Sequence, residues 1–175
     1  MKHHFTHRKF IVSVCFLFAA LLCGLHAQTP AIQGYWQVVN QKSGAAESIV
    51  AVYPYQGQYF GRMVALYRSG KVSETLANPQ TRAKGIEGTP YLCGLNFILN
   101  LHPVGNGRYQ GSVIDPKSGS TYGCTVWFDA VRKRIAVYGH WFIFGRTEYW
   151  PALPLAEVPA SAQFDFATYT PIIPP

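Results

Sequence analysis

From residue 34 onward, apolar and polar positions alternate in short runs separated by turn residues. Residues 96–102 show this best. Phe97, Leu99 and Leu101 fall on one side, Asn96, Asn100 and His102 on the other, with Ile98 the exception. A period of two puts one face of a strand into a core. The same reading predicts eight strands, over 35–41, 47–53, 58–67, 96–102, 108–114, 121–128, 134–142 and 145–150. Turn chemistry separates them: Pro54 to Gly57, Gly105-Asn106-Gly107, and Asp115-Pro116-Lys117-Ser118-Gly119. In the last of these Asp bonds the backbone ahead of it, Pro presets one dihedral and Gly takes a positive one. Residues 68–90 break the pattern, being long and polar. Within them the spacing predicts one short helix over 78–85, with Asn78 as cap, Pro79 at the first helical position and Gly85 at the end. Beyond Trp150 the chain is rich in proline and reads as an extended tail, with Phe164, Phe166 and Tyr169 placed to pack on the outside.

Eight successive antiparallel strands leave two edges unpaired. Closing the sheet into a barrel removes both, and eight strands enclose an interior that side chains just fill or that holds one small ligand. The expected fold is therefore all-β, an eight-stranded antiparallel up-and-down barrel with one short helix. In it Gly34 lets the chain enter closely and Trp36 plugs the narrow end. Arg146, on the last strand, comes beside the first when the sheet closes. Its guanidinium over the indole face would contribute about 0.5–2 kcal/mol. Gly-x-Trp on the first strand, with Arg on the eighth, resembles the structural signature of the lipocalin, or calycin, barrels.

The N-terminus changes what the composition means. Residues 1–9 carry Lys2, Arg8 and Lys9 and no acid, residues 10–25 are almost wholly apolar, and Ala27 offers a small residue at a cut. This is the pattern of a secretory signal peptide over 1–27. A retained anchor is the alternative, but the apolar run falls short of the ~20 residues a spanning helix needs. A lipoprotein reading would use Cys23, and Leu22 before it is bulky for that processing. The chain after Ala27 has twelve Lys and Arg against eight Asp and Glu, so its charge falls from +7 to +4. That mild excess suits simple solubility, or a membrane surface or envelope polyanion, better than nucleic acid. The expected location is periplasmic or extracellular, and the mature chain is not an integral membrane protein. The expected domains are a barrel over 28–151 and a proline-rich tail over 152–175. Only Cys93 and Cys124 remain after cleavage. In an oxidising compartment they predict one disulfide between two strands, with two buried thiols as the alternative.

Several stretches are similar to a family of exported bacterial proteins named DUF2147. They are "GYW" at 34–36, "GQYFGRMVAL" at 57–66, "NPQTR" at 78–82 leading to "CGLNFILNL" at 93–101, "YQGSVIDPKSGSTY" at 109–122 and "VYGHWFIFGRTEYW" at 137–150. The resemblance spans about 34–151. Tyr138, Glu74 and Pro151 depart from the family's usual residues. The resemblance implies the barrel and implies no reaction.

The residues offer no catalytic constellation and no cofactor site. His102 and His140 have no His or Cys partner at ligand spacing, so no metal site is expected. Asp115 fits turn-making better than catalysis. Glu148 alternates with Arg146 and Trp150 on one face, pairing with Arg146 if it points inward. The aromatics of the strands either fill a core or line an open mouth. In the second case Tyr53, Arg62 and Tyr122 are the candidate ligand residues, the Arg suiting a carboxylate or phosphate head group. The functional expectation is a non-enzymatic carrier of a small amphiphile such as a fatty acid, lipid or envelope fragment. The alternative is a scaffold with a filled barrel that docks on an envelope protein through the 68–90 loop or the tail.

Overall fold

The computed structural model describes residues 32–141 and 144–174. The segment read as a signal peptide, 1–27, lies outside them. Nine strands follow one another: β1 (Gly34–Val39), β2 (Ala46–Tyr55), β3 (Gln58–Arg68), β4 (Lys71–Thr75), β5 (Asn96–Gly105), β6 (Arg108–Ile114), β7 (Thr121–Asp129), β8 (Arg134–Trp141) and β9 (Phe144–Leu153). Every pairing is antiparallel. The order β2-β1-β9-β8-β7-β6-β5-β3, joined by β2–β3 pairing, closes an eight-stranded barrel, and β4 pairs with β3 alone. Two-residue turns fix three of the registers. Gln56-Gly57, Ser69-Gly70 and Asn106-Gly107 all have positive φ at both positions, the conformation whose twist matches flanking strands.

Strand β3 forks. Tyr59, Gly61 and Arg62 pair with Leu101, Ile98 and Asn96 of β5, whereas Ala65 to Arg68 pair with Thr75 to Lys71 of β4. The expected helix over 78–85 is absent, and among the described residues the only helical turns are two 3-10 turns in the tail, Leu155–Glu157 and Ala160–Ala162. Side-chain competition explains this. Asn78 Oδ1 faces backward and accepts the Thr75 N–H at 2.9 Å and hydroxyl at 2.6 Å. The Glu74 carboxylate accepts the N–H groups of Gln80 and Thr81 at 2.8 and 2.7 Å and the Thr81 hydroxyl at 2.6 Å. Residues 81–83 are then held extended against 90–92, with Leu92 N–H on Thr81 O and Ala83 N–H on Pro90 O, both at 2.8 Å.

The pleat sorts two apolar layers. Trp36, Val50, Val52, Val126, Ile135 and Trp150 are buried inside the barrel. Tyr35, Ile49, Ala51, Val64 and Ala65 form a second cluster on the outer face, closed over by Val158 and Ala162 of the tail. Strand β9 continues through Pro151 to Leu153, past the expected stop at Trp150.

The barrel closes where β1 meets β9, through Tyr35–Leu153 and Trp36–Ala152. Trp36 is buried at the closed end, its indole N–H donating to Ile32 O at 2.9 Å and its ring 6.4 Å from Phe128. The expected Arg146–Trp36 stack does not form. Trp36 lies beside Ala152, while Arg146 lies beside Gly139. Six residues of strand, about 20 Å, separate the two positions. Gly34 is needed for its conformation, φ 143°, and not for a close approach, since a Cβ there would meet nothing within 4 Å.

Candidate functional site

The end of the barrel opposite Trp36 is open. It is ringed by the β1–β2 turn, the 76–95 loop and the β6–β7 turn. Two adjoining chambers of about 650 Å³ and 510 Å³ occupy this mouth. Val38, Ser48, Met63, Phe97, Val113, Tyr122, Val137 and Trp150 line them, one from each of the eight barrel strands, so the chambers are the mouth end of the barrel interior. Phe97, Asp115, Pro116, Glu148 and Trp150 border both and form the partition. The Phe97 and Trp150 rings lie 6.5 Å apart.

The walls are mainly apolar, and their main charged feature comes from β9. Alternation turns Arg146, Glu148 and Trp150 to one side, and all three line the first chamber. Glu148 Oε2 accepts the Trp150 indole N–H at 3.2 Å, and Oε1 lies 3.5 Å from Arg146 Nη2. Asp115 makes its own turn: its carboxylate accepts Lys117 N–H and the Ser118 hydroxyl, both at 2.9 Å. Arg82, Lys84 and Lys117 reach the second chamber from the loops. Arg82 is already engaged, donating to Thr89 O at 2.9 Å and lying 4.0 Å from the Tyr91 ring centre.

The two loops over the mouth touch backbone to backbone. Gly85 N–H donates to Pro116 O at 3.2 Å. A Cβ on Gly85 would strike the 117–119 backbone, and a Cβ on Gly119 would strike the Gly85 carbonyl. Glycine is required at both positions for closeness, and at Gly119 also for its φ of 74°.

The expected ligand residues separate. Tyr122 lines the first chamber. Tyr53 and Arg62 do not reach the mouth. Tyr53 shares the parity of Ala51, opposite Tyr35, and Arg62 pairs with Ala51, so both face outward. The tail covers them. The Tyr53 ring lies 5.2 Å from Phe164 and 5.4 Å from Tyr169, and its hydroxyl donates to Asn96 Oδ1 at 2.6 Å. The Arg62 guanidinium sits 3.9 Å from the Tyr169 ring centre and its Nε donates to Gly94 O at 3.1 Å. Burial pushes the Tyr53 hydroxyl pKa up and the Arg62 pKa down. Cys93 and Cys124 are buried free thiols, not a disulfide. Cys93 lies near Glu74 and the Leu66 backbone, Cys124 against the Gly111 backbone, and burial pushes each up to about 12. Glu148 and Phe97 are among the chamber residues that the sequence did not mark as ligand-facing. The alternation of Arg146, Glu148 and Trp150 was the available signal.

A closed eight-stranded antiparallel barrel with an interior cavity at one mouth is a lipocalin-like fold. Protein HP1028 from Helicobacter pylori, described as belonging to the lipocalin family, has a similar solved structure: TM-score 0.58 at 18% identity, over 74% of this chain and 87% of that one. The chain belongs to the family described as "Uncharacterized protein conserved in bacteria (DUF2147)", whose model matches residues 34–151. A comparison with curated proteins finds no match.

Proposed function

We propose that this protein is an exported, non-enzymatic carrier that holds a small amphiphile in the mouth of its barrel. The lipocalin-like fold suggests small-ligand binding. The observation that supports a carrier here is the first chamber. Its volume, about 650 Å³, falls within the ~300–1,000 Å³ of small-molecule pockets, which are mostly apolar with a few placed polar groups. The same volume argues against the filled-barrel alternative. Export rests on the basic, apolar and small-residue pattern of residues 1–27.

Gly139 provides a direct test. It lines the chamber, its φ is not in the left-handed region, and a Cβ there would meet nothing within 4 Å. Gly139→Leu should therefore fill the chamber from its wall and leave stability within about 1 kcal/mol. Native mass spectrometry of protein purified from cells should find a bound small molecule on the wild type and none on the variant. A wild type that carries nothing and binds no alkyl-chain amphiphile in titration defeats the carrier reading.

A further inference from the structure

The ion pair at the rim of the mouth is loosely made. Arg146 and Glu148 approach to 3.5 Å, against 2.7 Å for the Arg132–Asp129 pair at a surface turn. Their side chains are 69% and 33% exposed, Arg146 being the outer of the two. A carboxylate offers about four lone-pair sites and a guanidinium five N–H donors in a fixed fork. Glu148 is held by one indole N–H and this long contact, so both groups retain capacity for a ligand.

The charges decide which ligand head fits. An anionic head on Arg146 would bring a second negative charge beside Glu148 and near Asp115. A cationic head on Glu148 would face Arg146. Either leaves one charge of the pair facing a like charge in a largely apolar mouth, which is unfavourable. A head carrying both charges satisfies each group and leaves the net charge of the site unchanged. The rings on the chamber wall, Phe97, Tyr122 and Trp150, favour the cationic end at Glu148, because an ammonium is attracted to an aromatic face. The chamber's volume of about 650 Å³ suits a single alkyl chain.

Resting on the carrier reading above, we infer that the ligand is a single-chain zwitterionic amphiphile, with its ammonium on Glu148 and its anionic group on Arg146. Three probes sharing one chain test this below their micellar concentrations: dodecyl phosphoethanolamine, dodecyl phosphate and dodecylamine. Calorimetric titration of the wild type should give at least about tenfold tighter binding for the zwitterion, a difference of about 1.4 kcal/mol. Glu148→Gln should lose that advantage over dodecyl phosphate, and Arg146→Gln the advantage over dodecylamine. Wild-type affinities within about threefold of one another overturn the inference and leave the carrier reading standing. So does a preference that both variants keep. Failure of all three probes to bind overturns the inference, and the carrier reading with it when native mass spectrometry also finds no bound small molecule. The wild-type comparison needs no variant to fold.

Discussion

Replacing Glu74 by Gln tests how the mouth loop is held. Glu74 is 2% exposed, and its carboxylate accepts three hydrogen bonds, from two backbone N–H groups and one hydroxyl. Bonds to a charged acceptor contribute about 1.5–3 kcal/mol each, against about 1 for neutral ones. Gln keeps one oxygen for the two N–H groups and turns its NH₂ toward Thr81 Oγ1, which can accept. The loss is then mainly the charge assistance, about 1 kcal/mol per bond, or about 2–3 kcal/mol in total. Urea unfolding at neutral pH should show it as a midpoint lower by roughly 1 M or more, for slopes of about 1–3 kcal/mol/M.

Acid should remove the difference. Burial alone would raise the Glu74 pKa, but the Thr81 hydroxyl, the Thr81 and Gln80 N–H groups and Arg68 hold it below its ordinary value of 4.5. A carboxyl with a depressed folded pKa binds fewer protons folded than unfolded. Its contribution is full above the unfolded value and is lost as pH falls through the folded one. The gap between wild type and variant should stay flat near neutrality and close below about pH 4.5. A neutral-pH gap under about 0.5 kcal/mol, or one that widens in acid, refutes the reasoning.

Phe164→Ala should cost about 2–3 kcal/mol, less than the ~3–5 of a fully buried Phe, because Phe164 is half-buried against Tyr53, Phe166 and Tyr169; thermal unfolding measures it, and chamber binding should not change. Gly119→Ala, forcing a Cβ into the Gly85 carbonyl at positive φ, should destabilise by more than about 1 kcal/mol and make Trp150 more open to acrylamide quenching. Cys93 and Cys124, both pushed up to about 12, should react slowly with a thiol reagent in the folded protein, and a chain starting at Gln28 should release two free thiols on unfolding.

The barrel was legible because its strands are amphipathic with a period of two and its turns carry Gly, Asn, Asp and Pro where the backbone needs them. The interior was harder to read. Alternation separates two faces and does not say which one is inside. Tyr53 and Arg62 looked like mouth residues because they are aromatic and basic, yet their register with Ala51 and Tyr35 turns them under the tail. Trp36 and Arg146 sit on strands that do meet, but strand adjacency carries no register, and six residues of offset keep them apart. The expected helix failed for a related reason. Asn78 and Pro79 are start signals, but Asn78 and Glu74 spend their oxygens on Thr75, Gln80 and Thr81, and the 81–83 segment takes a β-bridge instead.

The tail runs on from β9 and crosses the outer side of the earliest strands. It touches Tyr35 on β1, Tyr53 on β2 and Arg62 on β3, and reaches β5, where Asn96 Nδ2 donates to Ile172 O at 2.9 Å. The barrel strands that leave the ribosome earliest thus receive their outer cover from residues translated only after the whole barrel. A nascent product halted near Leu153 would close its cylinder but present a bare aromatic flank, the kind of surface that chaperones and proteases recognise.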